Sequence, residues 1–292
     1  MKEICQTVRT DLAMEAVELH GGSGEGFTAR EYRTQGVPVS EVRVLDGTGA
    51  RRLGKPVGTY LTLTLGELPG RTGDTFRRTV RAVAEELGRL LPGEEKAPAL
   101  VVGLGNRNIT PDAVGPAAVD CTLATRHLID QAACFAGWRP VSAVAAGVVG
   151  STGVESAELI RALVREIRPG FVVAVDALAA RSVHRLGRTV QIADTGITPG
   201  SGVGNARAEL NKAGLGVPVI ALGVPTVVDA GTLVSDLCGS HPGGMSEGLA
   251  RMMVTPREID TLATDIGRVV GCGVSLALQR GLELEDLELL LG

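Results

Sequence analysis

The sequence predicts an α/β protein: a three-layer α/β/α arrangement around a mainly parallel sheet, with a small β-rich portion at its N-terminal side. Three observations carry this. From residue 98 onward, short apolar runs alternate with helical segments, the pattern of a sheet covered on both faces. Residues 27–46 and 57–66 instead alternate apolar and polar side chains between glycine turns. At 292 residues the chain is long enough to bury a substantial core.

In chain order, the first half-dozen residues read as untethered. "VPVSEVRVLD" and "GTYLTLTL" read as strands. "DTFRRTVRAVAEELGRLL" spaces Phe76, Val80, Val83, Leu87 and Leu90 at three- and four-residue steps, which predicts an amphipathic helix. "ALVVGLG", "VSAVAAGV", "FVVAVDAL", "TVQIAD" and "VPVIALGV" are the expected buried strands. Between the second and third, "ESAELIRALVREIRPG" predicts a helix stopped by Pro169 and Gly170. "TPREID" reads as a capping box with Thr255 as N-cap, Pro256 at the first helical position and Glu258 closing the box. It should open a long helix to about residue 280. "LELEDLELLLG" predicts a short acidic helix or a frayed end.

Composition removes several function classes. The chain has one Trp, two Tyr and four Phe, so its core must be built from Val, Leu, Ile and Ala. Its 40 glycines, about twice the typical ~7% share, stand beside apolar runs and predict many tight turns. The formal charge is −4 with no basic stripe, which argues against direct nucleic-acid binding. Cys5, Cys121, Cys134, Cys238 and Cys272 form no C-x-x-C pair, and no two histidines stand at metal-ligand spacing. Free thiols in a reducing cytosol are expected, with no zinc site, no other metal and no cofactor. The first twenty residues lack a continuous apolar stretch, and the longest apolar regions contain Pro or Asp. A soluble, cytoplasmic protein with no membrane segment is expected.

Ligands of open α/β sheets meet the carboxyl ends of the strands. Asp112 follows the first buried strand after a short loop, and Asp176 closes "FVVAVD". A carboxylate beside an apolar run is partly desolvated, which raises its pKa, and a second carboxylate nearby raises one of the two further. Two acids sharing a proton can activate water and protonate or polarise a carbonyl. The bland alternatives stand beside this. Asp112 can cap a helix next to Pro111, and Asp176 can cap "ALAARSV" or pair with Arg181.

Other motifs discriminate less. "GLGNRN" lacks the third glycine of a dinucleotide fingerprint, and "GSGVGN" lacks the Lys-Ser/Thr end of a P-loop. The latter can still present backbone N–H groups to a substrate backbone. "DTG", beginning at Asp194, matches pepsin-like enzymes, but one copy in an α/β texture is accidental; Asp194 stays a candidate third acid. Ser201 is in no G-x-S-x-G elbow, and His127 and His184 fall in helical segments without triad partners.

Taken in order, "VRTDLAMEA", "VVGLGN…TPDAVGP", "TRHL", "WRPVSA", "VDALAARS", "DTGITPGSGVGN" and "GVPTVVDA" resemble the germination protease family, from residue 7 to about 280. The resemblance implies an atypical aspartic endopeptidase with a fold like that of hydrogenase maturation proteases. Its substrates would be the small acid-soluble proteins of spore DNA, in the cytoplasm of the spore core. It implies that Asp112 and Asp176 are the catalytic pair; beside them, the residues themselves suggest Asp194 as a supporting acid and Gly200, Ser201, Gly202 and Asn205 as a loop that holds the substrate backbone. It also implies a homotetramer made as a self-processing zymogen. Residues 1–11 would be the propeptide, cut between Asp11 and Leu12, and 12–292 a single peptidase domain with a β-rich portion (12–70) and an α/β core (71–292). The family carries a longer charged insertion where this chain has only "GTLVSDLCGSHPGGMSEGLAR". Two other readings are a metal-dependent peptidase using the same acids as ligands, and a non-catalytic binder of the same spore proteins.

Overall fold

A computed structural model describes residues 10–66, 73–129, 131, 135, 137–201, 204, 207–238, 248 and 252–291. The chain opens with α1 (Ala13–Leu19) and the antiparallel strands β1 (Phe27–Thr34) and β2 (Val37–Val44). Helix α2 (Gly47–Leu53) follows, its N-terminus capped by Asp46, which accepts from the Thr48 and Gly49 amides at 2.7 and 3.0 Å. Strand β3 (Gly58–Thr64) and helix α3 (Asp74–Leu90) complete the N-terminal half. The α/β core then runs through β4 (Ala99–Leu104), α4 (Val114–Asp120), β5 (Val141–Gly147), α5 (Val149–Thr152), α6 (Ser156–Ile167) and β6 (Phe171–Ala180). After these come β7 (Thr189–Ala193), α7 (Lys212–Leu215), β8 (Val219–Asp229), α8 (Ala230–Cys238), β9 (Met253–Val254), α9 (Ile259–Leu278) and α10 (Leu284–Leu291).

All five strands expected in the core are present. The sheet order is β1-β2-β3-β7-β8-β6-β4-β5, with β9 paired to β8. Strands β8, β6, β4 and β5 are mutually parallel, while β1, β2, β3 and β7 extend the same sheet with antiparallel pairings. The β-rich N-terminal portion is therefore continuous with the parallel core through the β3–β7 pairing.

Strand periodicity sorts the side chains into three layers. Val101, Val173, Val175 and Leu222 pack with Phe76, Val83 and Val270 under α3 and α9. Leu100, Val102, Val172 and Ala174 face the other way, against Ile160 and Val164 of α6. Burying each of the larger side chains among these contributes roughly 1.5–3 kcal/mol. Helix α9 is long and apolar enough to cross a membrane by length and composition, yet two thirds of its most apolar stretch is buried inside the fold.

Two local expectations are corrected. Thr255 does not cap α9. Val254 pairs with Val228 of β8, so Thr255 leaves a strand, and its hydroxyl is spent on the Thr226 carbonyl at 2.8 Å. The helix starts at Ile259, with Glu258 at the cap position and no side-chain cap bond. Strand β6 also does not end at Asp176; it continues four residues to Ala180. Helix α6 stops as expected before Pro169, which cannot continue it; the Arg168 backbone closes the helix in the left-handed region (φ 52°).

Candidate active site

The connections place the site. From β4 the chain crosses outward to β5 and then returns to β6 on β4's other side, so the order reverses between β4 and β6. A crevice opens at such a reversal. The last β4–β6 pair is Gly103 with Val175, so from Asp176 onward β6 outruns its neighbour. Asp176 thus meets the end of β4 rather than of its own strand. Along this stretch the β6–β8 register shifts between Leu178 and Ala179, a bulge in which Thr226 is the extra residue, directly after Pro225.

Asp112 reaches the same crevice through a tight return. Gly105 leaves β4 with φ 101°, a conformation L side chains rarely adopt, and a Cβ there would stand 2.1 Å from the Asp112 carbonyl oxygen. Gly115 lets α4 settle on the sheet: a Cβ there would meet the Leu104 and Val175 carbonyl oxygens at 2.2 and 2.6 Å. Asp112 closes a 3-10 turn, Thr110–Asp112, and its carboxylate accepts from the Asn106 amide at 2.7 Å. It does not cap α4, whose cap residue is Ala113 and has no side-chain bond. The alternatives for Asp176 fall too, because "ALAA" continues the strand and Arg181 pairs with Asp236 at 2.9 Å.

The two carboxylates line one cavity of about 350 Å³ with Asp11, Leu178, Ser201 and Arg207. Asp176 is 4% exposed. Burial pushes its carboxyl well above the ordinary carboxylate range; the nearby Asp112 carboxylate raises it further, as does Asp11, while the Ala177 N–H and Arg207 oppose. Burial also raises Asp112, with the Asn106 N–H and Arg207 opposing.

The third acid at the cavity is Asp11, not Asp194. Asp194 is exposed at the end of β7, where its carboxylate accepts from the Thr59 amide at 2.8 Å, and it lines no part of this cavity. Asp11 lies on β6 beyond the end of β4. Its N–H donates to the Ala179 carbonyl (2.9 Å), and its carboxylate accepts from the Ala179 N–H (2.9 Å) and the Ser201 hydroxyl (3.0 Å). Leu12 next to it is fully buried among Leu178, Ala180, Leu186 and Val228. Glu15, also fully buried, holds the following turn by accepting from the Arg181 and Ser182 amides at 2.7 and 3.1 Å.

Gly200 and Ser201 line the cavity as expected of the glycine-rich loop, whereas Gly202 and Asn205 lie outside the described residues. Arg207 was not anticipated: it carries no motif, and only the fold brings its charge to both aspartates. Among the described residues no group of three or more His, Cys, Asp or Glu is placed to hold a metal ion.

A buried carboxyl and a half-buried one thus share a cavity at the switch point of the sheet. The germination protease family model matches residues 6–239, and the chain belongs to that family, which makes it a protease. It is 39% identical over 322 aligned positions to germination protease of Clostridium tetani, covering 96% of this chain and 98% of that one. To the germination protease of Bacillus mycoides it is 44% identical over 241 positions, covering 79% and 65%. The first of these alignments is longer than the chain itself, so the relative carries additional residues. Among solved structures, the [NiFe] hydrogenase maturation protease HycI of Thermococcus kodakarensis superposes with a TM-score of 0.33 at 20% identity, over 63% of this chain and 98% of that one.

Proposed function

We propose that the chain is an aspartic endopeptidase of spore germination that cuts its own Asp11–Leu12 bond and then small acid-soluble spore proteins. One observation carries this reading: the carboxylate of Asp11 occupies the cavity of Asp112 and Asp176. An acidic residue followed by an apolar one is held there by specific contacts, Asp11 by Ala179 and Ser201, Leu12 by its apolar cluster. In this mechanism Asp112, the less buried acid, takes a proton from water, and Asp176, which retains its proton, supplies one to the departing nitrogen. Residues 1–11 are then a propeptide, and assembly as a homotetramer in the spore core belongs to the same reading.

The test is self-processing. The purified chain is expected to convert to one beginning at Leu12, by intact mass, and to cut a small acid-soluble spore protein into discrete fragments. Asp112→Asn and Asp176→Asn should each abolish both while the fold survives. Either folded variant processing at the parental rate would refute the aspartate pair, and loss of parental activity on exhaustive chelation would favour metal-dependent hydrolysis instead.

A further inference from the structure

On the far side of Asp11 lies a second, larger cleft of about 1040 Å³, lined by Lys55, Gln191, Thr195 and Thr198 and sharing Asp11 and Ser201 with the aspartate cavity. The backbone carbonyl of Asp11 is held from this side. The Lys55 ammonium donates to it at 2.9 Å and the Gln191 amide nitrogen at 3.2 Å. Neither donor is there by chance of rotamer. The Gln191 amide is oriented by its own oxygen, which accepts from the Ala13 N–H at 2.7 Å. Lys55 spends a further donor on the Thr10 carbonyl at 3.2 Å and makes no ion pair among the described residues. A lysine directed at carbonyl oxygens rather than at a carboxylate puts its full charge where a peptide bond would develop negative charge.

We propose that Lys55 and Gln191 form the oxyanion-binding pair of this peptidase, polarising the carbonyl of the bond to be cut. The proposal rests on the reading of Asp11–Leu12 as the scissile bond. Water's oxygen bonds to the Asp11 carbonyl carbon, its proton passes to Asp112, and the carbonyl π pair moves onto the oxygen facing Lys55 and Gln191. The C–N bond then breaks as the Leu12 nitrogen takes the proton of Asp176, leaving a carboxyl at Asp11 and an amine at Leu12. The proton on Asp112 restores that of Asp176, so the pair ends as it began. Burial lowers the Lys55 ammonium from its ordinary value, and the carboxylates of Asp11 and Glu15 oppose that by favouring the charged form.

Self-processing of the full-length chain tests this, with rates from intact mass. Lys55→Met is expected to slow processing by roughly 10²–10³-fold, the cost of removing one oxyanion donor, and Lys55→Arg to recover much of that loss. Parental processing, within threefold, in Lys55→Met would overturn the proposal. A mere tether is told apart by amide exchange at Asp11 in Asp112→Asn, with and without Lys55→Met: protection should persist, and its loss in the double variant would reassign Lys55 to anchoring. If Asp112→Asn itself processes, the aspartate reading fails, while the Lys55→Met rate still judges this one.

Discussion

Replacing Asp176 with asparagine should stabilise the protein, and by an amount that depends on pH in a direction opposite to most carboxylates. The side chain is 4% exposed, and its one backbone donor is the Ala177 N–H at 2.9 Å. Burial first, then the carboxylates of Asp112 and Asp11, raise its carboxyl well above the ordinary value of 3.8. In the unfolded chain the same group ionises at that ordinary value. Between the two, the folded state binds more protons, so stability falls as pH rises from about 3.8 toward the folded value, where the penalty stops growing. Asparagine keeps the shape, can still accept from Ala177, and has no proton to lose. The stability difference between variant and parent should therefore widen in the variant's favour by up to about 1.4 kcal/mol per pH unit. Across two pH units above 4.5 this reaches roughly 2.7 kcal/mol at most, well outside the scatter of denaturant titrations. Urea unfolding of both chains between pH 4.5 and 7.5 measures it. A difference that stays constant with pH, or that turns toward the parent, would show that Asp176 is ionised and stabilised in place.

Two further substitutions probe what positions the site. Gly105→Ala puts a methyl 2.1 Å from the Asp112 carbonyl oxygen at a backbone φ of 101°, so it should cost about 1–3 kcal/mol and slow self-processing by roughly 10²-fold through displacement of Asp112. Unaltered processing kinetics would mean that the return after β4 does not set the carboxylate. Glu15→Ala removes a fully buried carboxylate at 3.2 Å from Arg185 and orphans the amides of Arg181 and Ser182. A loss of about 3–5 kcal/mol is expected in thermal or urea unfolding, and a loss below 1 kcal/mol would contradict the assigned role.

Much of the site was legible in the sequence because strand ends are. The apolar runs fixed where β4 and β6 begin, and parallel pairing brought Asp112 and Asp176 together as expected. Asp176 does line the cavity, although not because its strand ends there. Small apolar residues after it carry β6 on, and the opening comes from β4 ending at Leu104. Thr255 failed as a cap because a local pattern says nothing of a carbonyl 29 residues away that competes for its hydroxyl. Asp194 failed as a third acid because β7 pairs with β3 and turns it toward Thr59. Lys55 and Gln191 reach Asp11 across 44 and 180 residues of sequence. No periodicity or spacing encodes such contacts; they exist only once the sheet is assembled.

The place taken by Asp11 bears on how the proposed pair is poised. Its carboxylate is one of the like charges that keep the proton on Asp176, alongside Asp112. On the proposed processing, release of residues 1–11 takes that contribution away, and Asp176 moves toward easier ionisation, so that less of it holds the proton the leaving nitrogen needs. A substrate with an acidic residue before the scissile bond would bring a carboxylate back to Ala179 and Ser201 and restore the crowding. A neutral residue there would fill the slot without restoring it. Preference for an acidic residue is then more than a matter of binding: the substrate's own charge helps hold the proton that its leaving nitrogen will need, and the preference should appear in kcat as well as in KM.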